Sequence, residues 1–216
     1  MRNSIRNYIG SALFFKIMSM LAGFGKFSFI VGSTHAFFSL AGAITPLSGE
    51  LMGNGGSIAF FLLNFMLYSI FKGSFAWHYF AYFVPGLFAA FYWNNTSKVV
   101  RILPAALCMI LFITHPIGSA AALYSLFWLI PMAIAMRHQQ SDFLRALGST
   151  FTAHAVGSVI WLYTLNMGAH QWLMLMPVVM IERVLLAIST VGVYRVLCLV
   201  RDKAPSWVGY RTCTQS

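Results

Sequence analysis

Acidic side chains are what this chain has least of. Against 14 Lys and Arg in 216 residues it carries 4 acids, Glu50, Asp142, Glu182 and Asp202, and charged residues of either sign are only 8%. Soluble globular domains have about 25% charged and roughly 45–50% apolar residues. Here the apolar share is 59% and the mean hydropathy is +0.76. A folded chain of this size still exposes much of its surface, and it has too few charges to cover it. That excludes a soluble monomer and a disordered tail. Cysteine is also scarce: Cys108, Cys198 and Cys213 are odd in number, widely spaced and contain no C-x-x-C, which excludes a disulfide framework and a cysteine zinc site. G-x-S-x-G, H-E-x-x-H, P-loop and dinucleotide fingerprints are missing, so no enzyme class and no cofactor is indicated. A pI near 9.9 would point to nucleic acid on a soluble domain, but no basic patch with interleaved aromatics occurs. What remains is an integral membrane protein.

A spanning helix needs about 20 apolar residues for a hydrocarbon core of roughly 30 Å. Apolar stretches meet or approach that length at 8–31 (interrupted by Lys16 and Lys26), 57–71, 76–94, 99–115, 118–136, 146–167 and 172–200. The stretch 34–52 is shorter, rich in Gly, Ser, Thr and Pro, and reads as a short crossing or a re-entrant half-helix. The expected fold is all-α: a single domain over 1–216, a polytopic membrane bundle of about six to eight transmembrane helices. With the C-terminus cytoplasmic, Arg137, Arg145, Lys98, Arg101, Arg2 and Arg6 all fall inside. The loops left outside hold one cation, Lys72, which obeys the positive-inside rule. The expected location is the inner (plasma) membrane, with both termini cytoplasmic and the lipid bilayer as the first partner.

Polar groups inside a bilayer are costly and mark function. Glu182 and Arg183 lie about ten residues into the last span, roughly 15 Å deep at 1.5 Å per residue. Adjacent residues point about 100° apart on a helix, so each is expected to find its partner on another helix rather than in the other. His154 lies at similar depth on the preceding span and is one such partner. These groups read either as ligand-coordinating residues in a central cavity or as a structural ion pair. A second group, His78, His115, Asn166, His170 and Trp172, gathers with His35, Lys72 and Trp77 near the outer ends of spans. Converging polar and aromatic residues there could line a ligand pocket, whereas the alternative is headgroup-level anchoring. No two histidines stand at i, i+4, which leaves a metal site without a motif.

In the stretch 42–56, Gly49 and Gly53 make a small-xxx-small face suited to close helix contact, and Pro46 prevents a plain helix. Broken backbone at membrane depth is tolerated only beside protein or a water-filled cavity, and in many transporters it marks the substrate site. A Gly-rich turn between short helices is the alternative.

Three local patterns resemble the substrate-binding S-components of energy-coupling-factor transporters. They are Pro46-Leu47-Ser48-Gly49 followed by Gly53 and Gly55-Gly56; Val84-Pro85-Gly86 inside a span; and Pro177-x4-Glu182-Arg183-x3-Ala187 in the last span. Members of that family have six helices and an Ala-x-x-x-Ala docking face on the first; this chain has only Ser19-x3-Gly23 there. The resemblance implies a vitamin or precursor as the solute, captured on the outer side, no ATPase of its own, and dependence on an energising ATPase module. The reading is therefore uptake of a small-molecule solute through an outward-facing cavity, with Glu182, Arg183, His154, Asn166, His115, His78 and Trp172 as ligand contacts. The alternatives are a membrane enzyme or haem carrier using His78, His115, His154 and His170, and a non-catalytic assembly subunit.

Overall fold

The computed structural model describes residues 15–20, 26–27, 38–39, 41–73 and 77–202. Apart from a two-residue antiparallel ladder, Lys26–Phe27 with Phe38–Ser39, the described chain is helical. The longer helices are α1 (Ser48–Lys72), α2 (Trp77–Asn94), α3 (Lys98–Thr114), α4 (Leu129–Met136), α5 (Asp142–Thr164) and α6 (Met176–Asp202). Two stretches are long and apolar enough to cross a membrane: Ala41–Lys72, of mean hydropathy 1.4, and Met176–Leu199, of mean hydropathy 1.8.

The helix ends follow from local chemistry. Ser141 caps α5, its hydroxyl accepting from the Leu144 N–H at 3.3 Å, and Asp142 in the first turn complements the helix dipole. At its C-terminus α1 stops on Gly73, whose φ of 63° is the left-handed conformation that glycine adopts without penalty. Helix α3 ends where His115 turns extended (ψ 138°) ahead of Pro116, because a residue before proline avoids the helical region.

Three of the expected spans differ from what forms. The stretch 118–136 is not one helix: Pro116–Ala120 is a five-residue α-helix, Ala122–Trp128 is a 3-10 helix, and α4 follows. The tighter 3-10 winding rises about 2.0 Å per residue against 1.5 Å, so this short segment reaches roughly 26 Å, close to a bilayer core. The stretch 172–200 is broken at Leu175, between Ala169–Met174 and α6, because Pro177 is tolerated only in the first turn of a new helix. Within 8–31, residues 15–20 are helical but Lys26–Phe27 are extended, so that run is not a continuous helix.

Helix α5 is the hub. The Ser149 hydroxyl donates to the Ala89 carbonyl at 2.7 Å, and Gly157 lies 3.5 Å from Pro85 at the position of its would-be Cβ. These contacts run α2 antiparallel to α5. Thr150 and Asp142 meet Arg183 and Arg195 of α6, so α6 is antiparallel as well. The Tyr163 hydroxyl donates to Leu111 of α3 at 3.1 Å, which makes α3 parallel to α5. At the far side of α6, Thr190 donates to the Ala43 carbonyl at 2.9 Å and ties in the short helix Ala41–Ile44.

Polarity is arranged inside out. Leu103, Leu107 and Ile110 on α3, and Ile181, Leu185 and Ile188 on α6, are exposed at helical spacing. Ser57, Asn64, Ser149, Thr150, Thr152, Ser158, Glu182 and Thr190 are buried. Soluble monomers rarely expose contiguous apolar patches beyond a few hundred Å².

Candidate functional site

Thr150, His154 and Ser158 follow one another at i, i+4 and i+8 on α5, which places them along one helix face. His154 Nε2 and Ser158 Oγ are 3.5 Å apart. Ser158 is in turn 3.4 Å from the Tyr124 hydroxyl of the 3-10 segment. The Tyr124 ring lies 5.4 Å from that of His154 and 5.1 Å from Trp172, centroid to centroid. Facing this stripe from α6, the Arg183 Nη1 donates to the Thr150 carbonyl at 3.3 Å. Arg183 is also within electrostatic reach of His154 and Tyr124, and Glu182 of Tyr124. The interior cluster is thus Tyr124, Thr150, His154, Ser158, Glu182 and Arg183.

The expectation that Glu182 and Arg183 would not pair with each other is overturned: Arg183 Nη2 is bonded to Glu182 Oε1. The 100° divergence holds at Cβ, but the guanidinium fork on its long stem swings back to the neighbouring carboxylate while its other arm reaches α5. The pair is buried, with side-chain exposures of 13% and 8%. Pairing neutralises two charges whose isolated burial would cost several kcal/mol each.

Around the cluster stands a cage of rings. Phe112 stacks on Tyr124 at 5.6 Å and meets Trp128 and Trp172 edge-on at 5.1 and 5.4 Å. An open groove of about 380 Å³ lies beside it, lined by Met109, Ile113, Ser119, Ala120, Ala122, Leu123, Ser125 and Leu126. The groove does not reach Glu182 or Arg183, so the central cavity expected around that pair is not what lines this opening.

The remaining site expectations divide. Trp172 joins the interior cage. His115 caps the turn after α3, its Nδ1 accepting from the Ile117 N–H at 3.3 Å, and its ring rests 5.0 Å from Tyr163. Asn166 and His170 are exposed. These three stand at the end of the bundle away from Arg145, and no contact joins them to Glu182. The His78 side chain lies outside the described residues. Among the described residues no three His, Cys, Asp or Glu side chains gather as a metal would require, and His154 is the histidine that enters the cluster.

Sequence reasoning passed over a second polar centre at the opposite, basic end. Arg145 Nη2 is 3.0 Å from Glu50 Oε2, and its Nε donates to the Trp93 carbonyl at 2.7 Å. The guanidinium lies 4.4 Å over the Trp93 ring, whose Nε1 donates to the same Glu50 oxygen at 3.1 Å. Asp142 and Arg195 pair at 2.5 Å. Arg101 donates to the Tyr92 carbonyl at 3.0 Å and to Gln140 at 2.5 Å. The signal was Glu50 itself: an acid in so acid-poor a chain demands a cation, and Arg145 begins the central helix.

No known protein family's sequence signature matches this chain, and neither a curated protein nor a solved structure is similar to it.

Proposed function

We propose that this protein is a polytopic membrane protein with its basic end at the cytoplasmic face, and that it binds a small solute at the interior cluster as the binding subunit of an uptake system. The observation that carries this reading is the constellation of buried Glu182, Ser158 and Tyr124 with partly buried Arg183 and His154, inside a helical body whose outside is apolar. In hydrocarbon such groups are expensive and persist where they face a functional interior. On this reading α1, α2, α3, the 122–136 segment, α5 and α6 would each cross the membrane, although the stretches long and apolar enough by themselves are Ala41–Lys72 and Met176–Leu199. An energising ATPase module would meet the basic end.

Equilibrium binding of a panel of vitamins and their precursors to the purified protein in detergent tests the proposal. Saturable binding that Arg183→Gln weakens at least tenfold, and that the exposed-site control Lys98→Gln leaves alone, is the expected result. Binding unchanged by Arg183→Gln would remove the cluster from the site. The close packing of Phe112, Tyr124, Trp128 and Trp172 favours a second reading, a structural subunit of a larger membrane complex. Co-purification of stoichiometric partner chains without bound solute would select it.

A further inference from the structure

Among the described side chains each acid holds one cation: Glu50 holds Arg145, Asp142 holds Arg195 and Glu182 holds Arg183. At the basic end this leaves Lys98, Arg101 and Arg137 without a described acid at ion-pair distance. Arg101 is the costly one. It is only 7% exposed, and its bonds run to neutral acceptors, the Tyr92 carbonyl and Gln140 Oε1. A second guanidinium, that of Arg145, lies within electrostatic reach of it. Arg101 is therefore buried without the counter-charge that ordinarily offsets the loss of water.

A short chain of bonds brings these cations together. Gln140 Oε1 accepts from Arg101 Nη1 at 2.5 Å, and Gln140 Nε2 donates to the Ile134 carbonyl at 2.7 Å. The backbone N–H of Arg137 donates to that same carbonyl at 3.1 Å. The turn that carries exposed Arg137 is thereby pinned onto the start of α3. Lys98 stands one turn before Arg101 on α3, a spacing that sets the two Cβ atoms about 5–6 Å apart. The first turn of α3 contains no acid, and the Ser97 side chain caps none of its N–H groups. The positive end of the helix therefore adds to the charge of Lys98.

Beside the cations the surface is apolar. Val99 and Met136, the chain neighbours of Lys98 and Arg137, are exposed, and so is Leu103 one turn further along α3. A water-soluble anion or an acidic protein surface answers the charges and leaves these side chains uncovered. A molecule with an anionic head and hydrocarbon chains answers both. We infer that Lys98, Arg101 and Arg137 form a site for the head of an anionic phospholipid, whose chains lie along Val99, Leu103 and Met136. Net negative charge selects the lipid, because a zwitterionic head brings its own cation to a place that already has three. The inference rests on the membrane reading and fixes one lipid at the corner between α3 and α4.

Native mass spectrometry of the protein in dodecyl maltoside, with equal amounts of dioleoylphosphatidylglycerol and dioleoylphosphatidylcholine, tests it with identical chains on two heads. The expected result is about tenfold greater retention of the phosphatidylglycerol. Lys98→Gln with Arg137→Gln, both at exposed positions, brings the ratio to about twofold or less. Lys72→Gln, which removes a cation from the opposite end, leaves it unchanged. Arg101→Gln has the effect of the double variant; should it fail to fold, the double variant carries the comparison. Equal retention of the two lipids, or a preference that the double variant keeps, overturns the inference and leaves the membrane reading intact. Retention of neither lipid overturns both. Displacement of phosphatidylglycerol by equimolar glycerol 3-phosphate overturns the lipid as the source of the anion. Binding of a polyglutamate peptide that the double variant abolishes, with both lipids retained alike, overturns it in favour of an acidic protein.

Discussion

Glu182 and Arg183 illustrate how little room a buried charge has. The Arg183 guanidinium divides its arms between the Glu182 carboxylate and the Thr150 carbonyl, so removing the acid strands a cation in the interior. Breaking a buried pair by deleting one partner costs about 3–5 kcal/mol. Glu182→Gln is therefore expected to lower unfolding stability by an amount of that order, and Glu182→Gln with Arg183→Gln together to restore much of it; denaturant unfolding in mixed micelles reads both. Losses that simply add would show that the two residues are not energetically a pair. Both were legible in the sequence because an ion within an apolar run stands out. Thr150, Ser158 and Tyr124 were not, because hydroxyls occur throughout such runs and only the i, i+4, i+8 spacing from Thr150 through His154 to Ser158 sets two of them on one face with the histidine. The pairing of Glu182 with Arg183 was missed because residue spacing fixes where Cβ points, not where a long arginine side chain ends.

Helix α1 is broken at Gly53, whose φ of 67° lies in the left-handed region that only glycine enters freely. The sequence showed Gly49 and Gly53 as a shared contact face. In the structure they separate: Gly49 packs so closely on α2 that a Cβ would stand 2.5 Å from the Ala90 carbonyl oxygen, whereas a Cβ on Gly53 would meet nothing within 4 Å and the residue makes the kink. Gly49→Ala forces two backbones apart and is expected to cost about 1–3 kcal/mol, the range for overpacking. Gly55→Ala, with open space at its Cβ, is expected to be neutral or to gain about 0.5–1 kcal/mol from the lost chain entropy. Thermal unfolding of the two variants checks the pair, and equal effects would contradict the contact. Beyond the break, Glu50 ties the start of α1 to Arg145 of α5 and Trp93 of α2. A double-mutant cycle on Glu50→Gln and Arg145→Gln should give a coupling of about 0.5–3 kcal/mol, as contacting residues of one network do. A coupling near zero would mean that the network does not hold the three helices together. Pro46 announced the departure from helix that follows as a 3-10 turn at Thr45–Leu47. The longer 3-10 run at Ala122–Trp128 had no such herald, since its residues are ordinary helix formers and the tight winding is set by what it packs against.

At the level of the whole molecule, five of the described cations gather at one end, while Lys16 and Arg183 bond to Asn64 and Glu182 along the helices. Lys98, Arg101, Arg137, Arg145 and Arg195 lie at the ends of α2 to α6 that meet there, while Lys72 is at the other. The sequence carried this asymmetry clearly, because charge and hydropathy are read residue by residue. It did not carry the breaks at Leu175 and within 118–136, because these depend on packing. In the proposed orientation 97 and 139 would lie at the cytoplasmic face and 73 and 168 outside, with apolar helix faces toward lipid between them. The direct measurement is labelling with a membrane-impermeant maleimide in intact cells, on a background in which Cys108, Cys198 and Cys213 are replaced. Gly73→Cys and Gly168→Cys should react at once, and Ser97→Cys and Gln139→Cys only after permeabilisation. Labelling of all four without permeabilisation, or of 97 and 168 from the same side, would contradict a membrane-spanning bundle with a polar interior.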